Sequence, residues 1–367
     1  MSKEILPKTP EEITPQWLNH ALEKCFPGVE VLAVNAEPAK YATNSNSVLH
    51  LSYKNRAGAP DSMFLKLPPQ VGDPRRELVN QSGMGRREAL FYRDLASKLN
   101  MRIPDCYVAQ YSEEDGTFLL LIEDLDASGC YFPEMTVGFS PEHVMKGMPQ
   151  LANLHSIFED STERQKYAPW VKPPKRWRDY AVAMLQYGLD NNRDKLTDEF
   201  AEISYLYINY QNEIHDAWER ERSTLIHGDT HCGNLFADKG EPGFLDWGLI
   251  NINHPMRDVS YFICMALSPK NRLEYEKKII EVYLKARGEC GGEVIDFEEA
   301  WLAYRLHAAY TVVASCQVVM FPEDITPERD RFANAFISRS NAAIRDLDSI
   351  SLLKKTVGLS VSSSGRL

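Results

Sequence analysis

The sequence predicts an α+β protein of two lobes: a five-stranded antiparallel sheet with one inserted helix, then a mainly helical lobe. Three observations lead there. The 367 residues are more than most single compact cores hold. At Glu123 the apolar pattern changes from short β-rich runs to long helical segments. Among those helical segments a single β-like island, Thr224 to Phe236 with its return to Leu245, carries the most polar and glycine-rich chemistry of the chain. The expected divisions are a first lobe over 1–122, a second over 123–347 and a C-terminal tail over 348–367.

Taken in order, Thr14-Pro15 reads as an N-cap followed by proline at the first helical position, with Trp17, Leu18, Ala21, Leu22 and Cys25 on one face. Val29 to Ala36, Val48 to Tyr53 and Met63 to Leu67 read as three strands separated by turn-prone stretches such as Asn55-Arg-Ala-Gly58. Pro74 to Leu99 has helical spacing. Tyr107 to Gln110 and Phe118 to Ile122 then flank the turn Ser112 to Gly116 and complete the sheet. Beyond Glu123, Ser140-Pro141, Ser268-Pro269 and Thr326-Pro327 each open a helix. The apolar run Ala308 to Phe321 reads as a buried core helix, and the Ser-rich end from Ser360 is expected to fray.

Composition narrows the function. A formal net charge of -11 opposes bulk attraction to nucleic acid or to anionic membranes. The 7 cysteines are scattered without a C-x-x-C pair, so neither a disulfide framework nor a zinc knuckle is expected. No signal-like N-terminus and no long apolar run stand out, and the expectation is a soluble, cytoplasmic chain.

The island reads Leu225-Ile-His-Gly-Asp-Thr-His-Cys-Gly-Asn-Leu-Phe236, followed by Gly243-Phe-Leu-Asp-Trp247. It sets Asp229, Asn234 and Asp246 among apolar anchors. Hard oxygen donors of this kind suit Mg²⁺, which takes a few carboxylates plus substrate phosphates. In phosphoryl transfer one Asp orients the attacking hydroxyl while an Asn and a second Asp hold the metal. Asp229 fits the first role, and Asn234 and Asp246 fit the second. Zinc is the weaker alternative for His227, His231 and Cys232, because Gly228 and Gly233 break the helix that His-x-x-x-His would need.

H-G-D-x-x-x-x-N followed by a hydrophobic-Asp-Trp resembles the aminoglycoside phosphotransferase and choline-kinase-like family, which includes ecdysteroid-kinase-like members, small-molecule relatives of protein kinases. Arg257-Asp-Val259, Leu151-Ala-Asn-Leu-His155 and Arg87-Glu-Ala-Leu-Phe-Tyr92 resemble further motifs of that family, so the likeness covers roughly residues 30 to 340. It implies a protein-kinase-like bilobal fold and ATP-dependent transfer of the γ-phosphate to a hydroxyl of a small organic acceptor, with ATP and Mg²⁺ as cofactors. It further implies that Lys66 and Glu88 pair to position the α/β-phosphates. Ile122, Glu123, Asp124 and Leu125 become the hinge holding adenine through backbone groups, with Leu121 guarding the back of the pocket. Ser45 and Asn46 match the phosphate loop, although Tyr41 to Ser47 contains none of the glycines usual there. His227 would tie the catalytic loop together and His231 would line the cleft.

The alternative is a nucleotide-binding pseudokinase acting as a regulatory or scaffold module, favoured only by the glycine-free loop. Trp170, Trp177, Tyr180, Trp301, Tyr304, His307 and Tyr310 are candidates to line an acceptor pocket or to serve as core. The uncharged Ala308 to Phe321 segment leans toward a neutral, partly apolar acceptor.

Overall fold

The structure is a computed structural model that describes residues 6–39, 44–73, 75–173, 178–320 and 326–360. Its contacts divide the chain into two compact units, one of Met1–Tyr131 with Gly243–Ile250 and the other of Phe132–Pro242 with Asn251–Leu367. The first unit thus runs past the hinge and takes back a short segment from far along the chain.

In the first unit α1 (Pro15–Leu22) starts where Thr14 Oγ1 accepts the Trp17 N–H at 3.2 Å. Strands β1 (Glu30–Pro38), β2 (Ser45–Asn55), β3 (Ser62–Leu67), β4 (Cys106–Tyr111) and β5 (Phe118–Glu123) form one antiparallel sheet of order β1-β2-β3-β5-β4. The two faces differ. Leu49, Leu51, Met63, Leu65, Leu67, Leu119 and Leu121 pack with Leu18 and Leu22 of α1 into one core. The alternating residues, Phe64 and Lys66 with their cross-strand partners Ile122 and Leu120, face the other way.

The structure corrects two expectations here. Leu121 pairs with Leu65 inside the α1-covered core, so it cannot guard a pocket on the Lys66 face; Leu120 and Ile122 occupy that face. The helical stretch after β3 is two helices, α2 (Arg75–Ser82) and α3 (Met84–Asp94), interrupted at Gly83 with φ +67°. The left-handed backbone there suits glycine and ends the run.

The second unit is built from α4 (Pro141–Ile157), α5 (Ser161–Tyr167), α6 (Arg178–Asn191), α7 (Asp198–Trp218), α8 (Pro255–Ala266), α9 (Pro269–Glu289), α10 (Phe297–His307), α11 (Tyr310–Ala314), α12 (Pro327–Asp346) and α13 (Ser349–Thr356). The Ser-Pro and Thr-Pro openings hold: Ser140, Ser268 and Thr326 each accept a first-turn N–H. Ala308 to Phe321 is no single helix. It breaks into α11 and a 3-10 segment over Cys316–Met320, and Phe321 lies outside the described residues. The division expected at residue 348 falls just before α13, whose Leu353 is fully buried in the helical core.

The island also differs from a simple hairpin. β6 (Thr224–Ile226) pairs with β9 (Asn251–Asn253), while β7 (Leu235–Asp238) and β8 (Glu241–Phe244) form their own two-stranded sheet, along which the chain passes from the second unit into the first.

Candidate active site

In the first unit Lys66 sits on β3 opposite Asn46 of β2 and Leu120 of β5. A lysine in that position needs a counter-charge, since its side chain is 8% exposed. Glu88 of α3 supplies it, with Lys66 Nζ 2.7 Å from both carboxylate oxygens. Burial drives the Glu88 carboxyl upward against the pull of Lys66, and the Asp246 charge adds to the rise, to about 7. Burial opposes the charge on Lys66, but Asp246 and Glu88 together outweigh it and hold the ammonium above its usual range.

Asp246 Oδ1 lies 3.8 Å from Lys66 Nζ, and its side chain is 40% exposed. One lysine thus serves two carboxylates, and the outer one keeps charge available to a further cation. Asp246 is held in a left-handed conformation, φ +62°, which is costly for a residue with a side chain and marks a site where geometry is imposed. Its neighbours impose it. Trp247 stacks on Phe91 at 3.8 Å with planes 7° apart, and Arg87 Nε donates to the Gly248 carbonyl at 2.7 Å. A Cβ on Gly248 would come within 3.2 Å of Met84 Cβ. Arg87, deeply enough buried that its guanidinium drops to about 10, had no role in the sequence reading beyond its motif.

Ser45 and Asn46 begin β2, Asn46 in register with Lys66; Tyr41 to Thr43 of the same loop lie outside the described residues. At the hinge, Ile122 pairs with Phe64. Glu123 is clamped by Arg102 at 2.9 Å through both oxygens, and Asp124 accepts from Ser62 Oγ at 2.6 Å. These side chains are committed to structure, and so is part of the backbone: the Glu123 N–H donates to the Asp105 carbonyl at 2.7 Å, and the Asp124 carbonyl accepts the Ser128 N–H at 3.0 Å. The Leu125 carbonyl accepts from Cys130 N–H at 2.9 Å.

In the second unit the H-G-D loop hangs from one buried carboxylate, Asp258 of α8. Its Oδ2 accepts the His227 N–H at 2.6 Å, its Oδ1 the Gly228 N–H at 2.8 Å, and its carbonyl the Thr230 hydroxyl at 3.0 Å. His155 of α4 approaches Oδ2 at 3.3 Å and pairs through Nδ1 with the Tyr283 hydroxyl at 2.8 Å. Burial lowers the His155 pKa against the pull of Asp258. The sequence pointed to Asp258 and His155 only as family motifs; their shared function is a contact between residues 103 apart, for which no local signal exists.

The loop so suspended presents Asp229, Asn234 and His231 together. Asn234 Nδ2 donates to the Asp229 carbonyl at 3.0 Å and to its Oδ2 at 2.8 Å. With the amide N–H groups spent there, Asn234 Oδ1 is the acceptor that remains. Burial alone would raise the Asp229 pKa, but His231, then His227 and the Asn234 amide, outweigh it and keep the carboxyl below its usual value. Asp229 is ionised at neutral pH.

The donor chemistry fits Mg²⁺. Among the described residues no three His, Cys, Asp or Glu side chains form a cage; the first unit offers the half-exposed Asp246 carboxylate and the second the amide oxygen of Asn234, each a hard oxygen donor of the kind this ion takes.

The aromatic candidates separate. Tyr304 is buried and donates to Glu276, and His307 is buried and bonded to backbone carbonyls, so both are core. Trp301 stacks on Tyr304, and Tyr180 accepts from Gln317 at 2.9 Å. Trp170 is half-buried, and Trp177 lies outside the described residues. Tyr310 stays with the site. It rests on Tyr261 and over the Arg257 guanidinium, and burial followed by Arg257 and Asp229 governs its raised pKa.

The family model of the ecdysteroid kinase-like family matches residues 48–290 of this chain. No curated protein sequence matches it. Among solved structures, wild-type aminoglycoside 2′-phosphotransferase-IIIa in complex with GDP aligns with a TM-score of 0.50 at 14% identity, over 90% of this chain and 99% of its own. A choline/ethanolamine kinase family protein from Mesorhizobium loti aligns at 0.48 and 15% identity, over 87% and 92%. The macrolide 2′-phosphotransferase from Brachybacterium faecium aligns at 0.45 and 14%, over 84% and 100%. At these identities the likeness is one of fold, and the fold is the protein-kinase-like one expected from the sequence.

Proposed function

The chain belongs to the ecdysteroid kinase-like family, and on that premise we propose that it is an ATP-dependent phosphotransferase acting on a hydroxyl of a small organic molecule. The observation that carries this is Asp229: a half-buried carboxylate kept ionised by its neighbours and fixed by Asn234 five residues on. A nucleotide-binding scaffold has no use for such a base, and the pseudokinase alternative gains no support from it.

In this mechanism Asp229 accepts the proton of the acceptor hydroxyl as that oxygen bonds to the γ-phosphorus. The bond from γ-phosphorus to the β,γ-bridging oxygen breaks, and its electron pair leaves with ADP. Lys66, oriented by Glu88, neutralises phosphate charge, and the backbone of Ile122 to Leu125 receives the base, with Ser45 and Asn46 near the phosphates. Asn234 and Asp246 would hold Mg²⁺, which when bound offsets the negative charge of the phosphates. The partly exposed ring of Tyr310, packed on Tyr261 and close enough to Asp229 to feel its charge, supports a neutral, partly apolar acceptor.

Calorimetry with ATP and with GTP tests the nucleotide half. Mg²⁺-dependent binding of ATP that is lost in both Lys66→Ala and Asp246→Ala is expected, and unchanged affinity in the two variants refutes the assignment. ADP release against amino sugars, choline, ecdysteroids, macrolides and hydroxyacyl thioesters then identifies the acceptor class.

A further inference from the structure

His231 has two connections, and they point in opposite directions along the loop. Its Nδ1 accepts the Gly233 N–H at 3.0 Å, capping the one-turn 3-10 segment Cys232–Asn234. A neutral imidazole whose Nδ1 accepts carries its proton on Nε2. That Nε2 lies 3.6 Å from Asp229 Oδ2, the oxygen that also takes the Asn234 amide at 2.8 Å. Among the described residues no hydrogen bond reaches Oδ1 of Asp229.

The ring cannot easily leave this position. Tyr261, Phe332 and Phe336 meet it edge-on, at 6.2, 6.1 and 5.2 Å between centroids. Gly233 is shaped to it as well: a Cβ there would stand 2.9 Å from His231 Cε1, so a side chain at 233 would push the imidazole off the loop.

Resting on the assignment of Asp229 as the base, we propose that His231 is a positioning residue. With Asn234 it gathers the donors on Oδ2 and so turns Oδ1 toward the acceptor hydroxyl, whose proton Oδ1 takes as the O–P bond forms and the bridging O–P bond breaks. The 3.6 Å separation exceeds a hydrogen bond and acts as an electrostatic contact that shortens when the acceptor is bound.

Two isosteric substitutions separate this role from loop capping. In His231→Asn the amide oxygen takes the place of Nδ1 and keeps the cap, but the side chain is too short to reach Asp229. In His231→Gln the amide nitrogen reaches the Nε2 position, but the cap is lost. With Mg·ATP and an ecdysteroid as probe acceptor, and with water alone in parallel, His231→Asn is expected to keep the KM for ATP within about twofold and lose at least about 10-fold in kcat. His231→Gln regains most of that loss. An Asn variant with wild-type kcat, or equal losses in both variants, overturns the proposal.

A second readout is independent of turnover. In ¹⁵N spectra of histidine-labelled full-length protein, His231 should be protonated at Nε2, and Asp229→Asn should displace that signal. A ring protonated at Nδ1, or an Nε2 signal indifferent to Asp229→Asn, overturns the proposal. A wild type that transfers phosphate to no member of the acceptor panel removes the phosphotransferase assignment, and the spectra still decide the place of His231.

Discussion

The first unit fixes its charged groups side chain against side chain. Lys66 is held by Glu88 from α3 and by Asp246 from a segment stacked on Phe91. The second unit fixes its own by the backbone: Asp258 takes two successive N–H groups of the H-G-D loop, and the loop carries Asp229 and Asn234 with it. In the sheet, a mutated partner leaves its neighbours in a stable frame. In the loop, one carboxylate is the frame, so structure and chemistry fail together.

The largest expected effect follows from that contrast. Asp258→Ala strands two buried N–H groups and the His155 imidazole, at a cost of about 3–5 kcal/mol, and thermal unfolding should show the variant marginal or unfolded. Glu88→Gln, which leaves Asp246 as a counter-charge to Lys66, should lose less stability than Asp258→Ala and lose nucleotide affinity with it. Equal stability of the two variants would erase the distinction between the units.

Next comes the chemistry within the loop. Asp229→Asn leaves the Asp258 suspension untouched and removes the base, so turnover should fall by at least about 100-fold, while calorimetry should find Mg·ATP affinity largely kept. Wild-type turnover in this variant would take Asp229 out of the mechanism.

Sequence and structure agree most where a local pattern has one physical solution. Thr14-Pro15 and Ser140-Pro141 can hardly be anything but helix starts, and both cap as expected. Asp229, Asn234 and Asp246 were legible because polar groups among apolar anchors need a function; that Asp246 returns to the unit containing Lys66 was not, since the two are far apart in sequence. Leu119-Leu-Leu-Ile122 defeats a one-sequence assignment of faces, because an unbroken apolar run has no alternation from which to choose Leu120 over Leu121. The break within 308–320 is hidden for a similar reason: neither glycine nor proline marks it. The Asp258 clamp depends on tertiary approach alone.

A smaller effect tests how tightly the loop is drawn. Gly228 has φ +86° while its N–H is bound to Asp258. Alanine there must adopt a left-handed backbone at about 1–2 kcal/mol or release the N–H. Either should lower the unfolding midpoint modestly and reduce turnover more than nucleotide affinity, because Asp229 is the next residue. An alanine variant with unchanged kcat would mean the loop tolerates slack that the Asp258 geometry does not suggest.

The smallest effect belongs to the sheet side and is read by pH. Burial sets the Glu88 carboxyl at about 7 in the folded chain, against an ordinary value of 4.5. Below about pH 4.5 the group is protonated folded or unfolded, and between the two values the folded state binds more protons. Stability from this group is therefore fully present at low pH and lost as pH rises through about 7, by about 1 kcal/mol between pH 6 and 8. Glu88→Gln should flatten that part of the profile when denaturant unfolding is followed across the same range. The Asp229 carboxyl, held below its usual value, has the opposite sign: its contribution is present above about pH 4 and lost only as the solution becomes more acidic. A wild-type profile that rises from pH 6 to 8, or one that Glu88→Gln leaves unaltered, would mean that Lys66 keeps Glu88 ionised in spite of its burial.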